Sequence, residues 1–549
     1  MNLRRNLFIA LGLTVLLSAC GGKTDQSIHD SNDGFTPEAY LPADVGLVVS
    51  YSTRSDAQFS AIQALEANLG DSDRISETAS EALDTELGGL GLDFERDLKP
   101  AFGERFRMVY AIRPTETEPE TFSVITLEKP EKMEEVLTTL ADAERFTYKK
   151  LSDIDAYVSE NDSVYIAVYE DMLFVSSSGE GLVAMTEQEK GDSLLKAELY
   201  EDTLEEVGAD YSLFGVMFPS LYSEDLSLLA GFSVSDIPSV VDKQVVVVRA
   251  EEKGFRFEAW VNANKSKAKE AGISFDSVPR SEAYLFEEIP SKGLIAYTES
   301  YGLAQTFAQA SALGDDTESL DQVKEGVRNL FGMDFEEVMS FLDKGYAVSL
   351  HGNGESIIPG LTFYVDTSSN PDMAEEFMNK LDGQLGGLLI LAEGYLPGAL
   401  TKDTVSWGED TFSRLKLDLN AVAQLSGGTL PAELTESSLE LAYGLQDDRL
   451  VISTVTDWNP DGESIKDSPL YKSLDAELTE QTEGLIFVDA QGISEYIKKL
   501  QALSGELAPE ETEQLESITK LLDGFSGLIS RSDTEAYESH FAGFLMLAE

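Results

Sequence analysis

The sequence predicts an α+β fold of two tandem homologous copies, each an antiparallel sheet covered on one face by helices. Three observations predict it. Apolar and polar residues alternate in paired runs, at 244–250 with 255–262 and at 525–531 with 540–548, the pattern of half-buried antiparallel hairpins. Between such runs lie stretches with helical spacing: Met133, Val136, Leu137 and Leu140, after Pro130, fall on one helix face. Pieces of the first half also recur in chain order in the second. Gly91-Leu92-Asp93-Phe94-Glu95 matches Gly332-Met333-Asp334-Phe335-Glu336 at an offset of 241. Thr121-Phe122 matches Thr362-Phe363, and the helical set matches Ala374, Phe377, Met378 and Leu381. A series that keeps order, spacing and residue type argues for duplicated structure. With 549 residues, 42% of them hydrophobic, the chain exceeds one core and suffices for two.

Taken in order, residues 1–19 read as a signal peptide. Arg4 and Arg5 precede an apolar run, Leu7 to Leu17, that is too short to span a bilayer. The run ends in Leu17-Ser18-Ala19-Cys20, which resembles the lipobox of bacterial lipoproteins. The resemblance implies that the Cys20 thiol receives diacylglycerol and that the signal is cut in front of it. Cys20 is the sole cysteine, so no intrachain disulfide forms. Gly21 resembles the class sent to the outer membrane in diderm cells. Residues 20–38, the lipidated cysteine and a small, polar stretch, read as a flexible tether.

Copy 1, 39–264, opens with a strand at 45–51. Strands follow near 105–112 and 121–127, then the helix that Pro130 starts. A meander includes 164–168 and 172–176; a helix carries Leu199 and Leu204, and strand 211–218 comes next. In the closing hairpin Phe255, Phe257, Ala259 and Val261 alternate with Arg256, Glu258 and Trp260, which points the first set inward. A polar linker spans 265–284. Copy 2, 285–549, repeats the order from strand 293–299, matches Leu199-Tyr200 with Leu470-Tyr471, and adds helices at 492–503 and 509–522. Ile493, Tyr496, Ile497 and Leu500 form the inward stripe of the former.

Tyr40-Leu41-Pro42-Ala43-Asp44, the strand behind it and the Leu199-Tyr200 helix resemble the uncharacterised bacterial family called domain of unknown function 3352. The resemblance covers roughly 39–549, and copy 2 departs from the opening with Ile289-Pro290-Ser291-Lys292. It implies an envelope location and brings no catalytic residue, ligand or partner.

Candidate chemistry is sparse. Gly191-Asp192-Ser193-Leu194 spells a serine-esterase motif, but none of His29, His351 and His540 lies in the Asp-x-x-His that would supply a base. The segment reads instead as a loop capped by Asp192 or Ser193. Asp457, Asn459 and Asp461, with Gly462, match the first half of an EF-hand calcium loop; Ser468 stands where a bidentate Glu is needed, so calcium affinity would be weak. No cysteine–histidine cluster has zinc spacing, and no cofactor is expected. Between Leu381 and Val405 copy 2 carries about 17 additional residues, strongly apolar, among them Leu388, Leu389, Leu391 and Tyr395. These are either a helix extension or buried turn within the second core, or a mobile apolar lid or contact patch, and are the ligand-binding candidates.

The expected function is that of a cell-envelope lipoprotein without enzymatic activity, a binding or scaffolding module for another envelope component. The alternative is a carrier for an apolar or lipid-like ligand, with 385–397 near its pocket; a serine hydrolase is least favoured. Expected partners are the membrane, through Cys20, and an envelope protein or apolar ligand. Nucleic acid is excluded: 100 acidic residues against 40 basic ones give a net charge of -60, which repels phosphate backbones. The same charge predicts that the melting temperature rises from low to moderate salt, as screening relieves self-repulsion. A melting temperature that stays flat or falls removes that explanation.

Overall fold

The computed structural model describes residues 37–53, 56–69, 92–103, 105–115, 119–159, 162–188, 193–207, 211–221, 240–270, 285–287, 289–302, 317–342, 344–352, 358–407, 410–426, 438–455, 462–478, 484–503, 509–535 and 537–548. The signal peptide, Cys20, His29, Gly91, Asp192 and most of the linker lie outside them, as do Asp457, Asn459 and Asp461. The chain divides into two compact units between Asn264 and Lys265.

Unit 1 holds strands β1 (Leu47–Ser52), β2 (Arg107–Arg113), β3 (Glu120–Thr126), β4 (Phe146–Leu151), β5 (Ile154–Ser159), β6 (Tyr165–Tyr169), β7 (Met172–Ser176), β8 (Leu213–Met217), β9 (Val241–Glu251) and β10 (Gly254–Ala263). Every pairing among them is antiparallel, in the order β4-β5-β6-β7-β3-β2-β1-β8-β9-β10. The helices are α1 (Asp56–Leu69), α2 (Lys99–Phe102), α3 (Pro130–Asp142), α4 (Gly179–Gln188) and α5 (Glu198–Val207).

Helices cover both faces of this sheet, not one. Met133, Leu137 and Leu140 of α3 pack with Tyr110, Ile125 and Leu173 on one face. Leu182 and Met185 of α4 and Tyr200 of α5 pack with Val109, Phe122 and Phe214 on the other. The cause is connectivity. Consecutive strands β3 and β4 are not neighbours, nor are β7 and β8, so the chain must cross the sheet twice, and it does so on opposite sides. The mark in sequence is the unbroken buried run Met172-Leu173-Phe174-Val175-Ser176, which replaces alternation where both faces are covered. Alternation in the β9–β10 hairpin misleads in another way. Residues Phe255 to Ala263 are all half-buried, and Trp260, predicted outward, packs against the α4–α5 side of the core.

The tether gives way to the fold before residue 38. Pro37–Tyr40 is a 3-10 turn, and Glu38 is fully buried. Its carboxylate pairs with Arg107 of β2 at 2.5 Å. Arg107 also donates to the Tyr211 hydroxyl, which lies 3.0 Å from Ser50 Oγ of β1.

Unit 2 holds β11 (Leu294–Ser300), β12 (Gly345–His351), β13 (Gly360–Asp366), β14 (Leu400–Trp407), β15 (Asp410–Asp418), β16 (Ser438–Gln446), β17 (Arg449–Ser453), β18 (Gly484–Asp489), β19 (Phe525–Glu535) and β20 (Glu538–Leu547). These too are antiparallel, in the order β14-β15-β16-β17-β13-β12-β11-β18-β19-β20. Its helices are α6 (Lys265–Glu270), which occupies the start of the predicted linker, α7 (Thr317–Phe331), α8 (Phe335–Leu342), α9 (Pro371–Tyr395), α10 (Leu419–Ser426), α11 (Pro469–Asp475), α12 (Ala490–Leu503) and α13 (Pro509–Asp523). Phe341 of α8 and Phe377 of α9 cover one face over Val365 and Leu450. Tyr471 and Leu474 of α11 cover the other over Tyr364, Phe487 and Ile529. The predicted stripe of α12 is only partly buried, with Leu500 exposed. The fully buried side of α12 includes Ser494, which donates to Asp523 of α13.

The strand orders correspond term by term, and so do the registers. Ser50, Val109, Val124 and Phe174 stand side by side in unit 1; Glu299, Ala347, Tyr364 and Val451 do so in unit 2. By that register Phe122 corresponds to Thr362, not to Phe363. The sequence match is slipped by one residue, which exchanges the faces. Phe122 is buried on the α4–α5 side, whereas Phe363 packs under α8 and α9.

Removing one member of a buried ion pair strands the other, at a cost of about 3–5 kcal/mol. Glu38→Gln is therefore expected to lower the unfolding free energy of unit 1 by that order, measured by urea denaturation. The double change Glu38→Leu, Arg107→Met is expected to cost less than Glu38→Gln alone.

Candidate functional site

A cleft of about 440 Å³ opens on the α11 side of unit 2. Its floor is a lateral row of the sheet: Glu299 of β11 faces Leu485 of β18, which faces Arg531 of β19. One wall is α11, with Pro469 in its first turn and Ser468 as N-cap accepting from the Tyr471 amide. That start turns Tyr471, Lys472 and Asp475 toward the row. Phe286 and Glu287, from a 3-10 turn, and Lys466, from another, complete the lining with Tyr301.

Glu299 is buried and fully engaged. It accepts from the Leu285 amide (2.9 Å), the Phe286 amide (3.2 Å), the Tyr297 hydroxyl (2.7 Å) and the Tyr301 hydroxyl. Arg531 pairs with Asp475 and lies 3.4 Å from the Tyr471 hydroxyl. Burial, with Asp475 adding to it and Arg531 opposing, pushes the Tyr471 hydroxyl up to about 12. Lys466 and Lys472 are exposed; Lys466 lies 3.3 Å from Glu287, and Lys472 donates to the Asp467 carbonyl at 3.0 Å and to its carboxylate at 3.4 Å. The cleft thus offers two exposed ammonium groups and a guanidinium beside the rings of Phe286, Tyr301 and Tyr471. The buried carboxylate has its acceptor sites taken by four donors, which makes it an anchor for the surrounding chain. The lining is of mixed charge, Lys466, Lys472 and Arg531 against Glu287, Glu299 and Asp475, beside three aromatic rings.

The residues singled out in the sequence fall elsewhere. Ser193 is buried, bridges to Pro42 and makes no side-chain cap. His351 has a serine partner that sequence spacing did not reveal: Ser349 Oγ lies 2.9 Å from Nε2, and the Lys292 carbonyl 3.2 Å from Nδ1. Both side chains are buried at the core and neither lines the cleft, so the pair is structural. Leu388, Leu391 and Tyr395 lie exposed on α9, and Leu389 is half-buried there; none lines the cleft. Among the described residues no three His, Cys, Asp or Glu side chains group as metal ligands, and no helix is long and apolar enough to cross a membrane.

Sequence reasoning missed the cleft. A faint signal existed in Gly345, which the register places where unit 1 has Arg107. A Cβ there would meet the Tyr301 ring at 3.0 Å, so glycine lets that ring lie flat on the strand.

Two antiparallel sheets layered by helices, one bearing a cleft of mixed charge, define an α+β protein in which neither half is a doubly wound nucleotide-binding domain. The chain belongs to the family described as "Protein of unknown function (DUF3352)", which matches residues 7–542. No curated protein matches it. Among solved structures the chain is similar to TP0453. Crystal form IV shows 8% identity and a TM-score of 0.25 over 42% of this chain and 81% of that one. Crystal form I shows 6% identity and a TM-score of 0.25 over 44% and 88%.

Tyr211 in unit 1 is likewise pushed up to about 12 by burial, with Glu38 adding to it. An unfolded tyrosine loses its proton near pH 10, whereas these two keep theirs until about pH 12. Folding stability is therefore unaffected by them below pH 10. Above it, stability falls by about 1.4 kcal/mol per pH unit for each tyrosine. Urea denaturation between pH 8 and 11 is expected to show this loss, and Tyr471→Phe is expected to blunt it in unit 2.

Proposed function

We propose that the protein is a lipid-anchored module of the cell envelope, held through Cys20, that binds or scaffolds another envelope component and is not an enzyme. One observation carries the reading. In a chain of net charge -60 the cleft sets Lys466, Lys472 and Arg531 beside aromatic rings, each cation paired with an acid at the rim (Glu287, Asp467 and Asp475), while its buried carboxylate, Glu299, is saturated by four donors. That favours docking of a polar or charged surface, which can exchange with these rim pairs, over proton-transfer chemistry. The anchor is supported by the leader and lipobox pattern in the sequence.

We further propose that the units are duplicated copies. Supporting this are the identical strand orders, the matched registers, and the tyrosine shared by α5 and α11: Tyr200 packs on Phe214 of β8 and Tyr471 on Phe487 of β18, two residues apart in the matched register. The copies have then divided their work. Unit 1 fills its central row with the closed Glu38–Arg107 pair, whereas unit 2 has glycine there and turns Arg531 to an open cleft.

A photo-crosslinking residue in place of Lys472, in the full-length lipoprotein within its own envelope, tests the cleft. One discrete adduct is expected, lost when the exposed Lys466→Glu is added. An adduct indifferent to Lys466→Glu, or none at 472 while a probe at exposed Glu375 gives one, would sink the cleft as the docking site.

A further inference from the structure

We infer that the C-terminal half of α9 is a membrane-interface element that beds into the surface of a zwitterionic lipid bilayer. Its first half is ordinary: Ala374 and Phe377 are buried, and charges face water. Asp382 then fixes the helix to the body. It accepts from Lys402, from the Tyr443 hydroxyl at 2.9 Å and from Ser413 at 3.3 Å, and Lys402 holds its carboxyl below the usual range. Beyond that clamp α9 runs on to Tyr395 without one fully buried residue, about 20 Å of helix at 1.5 Å per residue.

What this extension shows to solvent is mostly apolar, with Gln384 and Glu393 its exposed polar side chains. Leu388 is 54% exposed, Ile390 78%, Leu391 61% and Tyr395 81%. At 100° per residue these four, with Gly383, Gly387 and Gly394, spread over an arc of roughly 160° interrupted only by Gln384, opposite the half-buried Leu385 and Leu389. From 383 to 401 the single charged residue is Glu393, and its carboxylate accepts from the Gly398 amide at 3.0 Å in the turn that ends the helix.

Three features select the occupant. The arc is wider than the stripe one facing helix or groove covers, which suits a fluid medium. It ends in Tyr395, a ring with an apolar body and a polar tip, as interfaces favour. It carries no Lys or Arg, on a protein whose charge of -60 repels both anionic lipid and a second copy of itself, so a neutral lipid surface is the complement. The inference rests on the envelope-anchored reading for the nearness of a bilayer, and the test separates the two.

The chain from Gly21 onward contains every described residue and no cysteine, so Leu391→Cys can carry a single polarity-sensitive fluorophore. On adding phosphatidylcholine vesicles, a blue shift and quenching by lipids brominated near the headgroup are expected, both weaker with vesicles rich in phosphatidylglycerol. With the label at exposed Glu375→Cys, emission is expected to stay aqueous. Ile390→Asp and Leu388→Asp, at exposed sites, are expected to keep the urea midpoint and each weaken partitioning roughly ten- to a hundredfold. Aqueous emission at 391 even when the full lipidated chain is reconstituted in phosphatidylcholine overturns the inference and leaves the anchor standing. A blue shift without lipid that grows with protein concentration overturns it in favour of self-association. Loss of acylation at Cys20 together with an intact vesicle response overturns the anchor instead.

Discussion

A carboxylate taken out of water costs several kcal/mol unless donors replace the lost hydration. Each unit places one on the same face of its sheet, and much of the local architecture follows from how it is satisfied. In unit 1 Glu38 arrives from outside the sheet, on the 3-10 turn before β1, and meets Arg107. That pair ties the entering chain to β2, and Tyr211 closes over the guanidinium. In unit 2 the carboxylate belongs to the sheet itself. Glu299 takes its donors from two backbone amides and two tyrosines, which fixes the turn at 285–287 and the chain leaving β11. No arginine is required at that point, and the register puts Gly345 in the place of one.

Beside that satisfied carboxylate, Arg531 pairs with Asp475 on α11, where it stays partly exposed. Pairing there is weaker as a stabiliser than a buried pair, but it leaves a guanidinium at the solvent edge, near two exposed lysines. Charge that is already committed to the fold cannot serve a ligand. Charge held loosely at a rim can, and unit 2 differs from unit 1 in where it keeps it.

Much of the fold was legible in the sequence because strands and helices announce themselves by local period. The strands at 244–250 and 525–531, the helix from Pro130 and both terminal hairpins fall where alternation and helical spacing put them. What local period does not encode is which distant strands meet. Pairing of β3 with β7 and of β1 with β8 decides that both faces are covered, and nothing in either strand alone says so. The slip between Phe122 and Phe363 shows the same limit: identical dipeptides sat one residue out of register, and a period of two turns that into opposite faces. Glu38 was read as tether because a buried acid looks like an exposed one until its partner, 69 residues on, is known. The cleft was hidden for that reason too, being assembled from five separate segments.

The extension of α9 was legible in composition but not in placement. Leu385 to Leu391 is apolar enough for a core, and burial was the ordinary expectation for it. The structure departs from that: beyond Asp382, which takes Lys402 and Tyr443, the helix continues to Tyr395 with no fully buried residue. An exposed apolar arc is normally an invitation to aggregate. Here it is carried by a chain with 60 surplus negative charges, whose mutual repulsion keeps copies apart without touching the arc itself. The acidity of the body and the neutrality of residues 383–401 are therefore complementary: the first makes the second tolerable in water, and the second gives a repelling body one surface through which it can approach something uncharged.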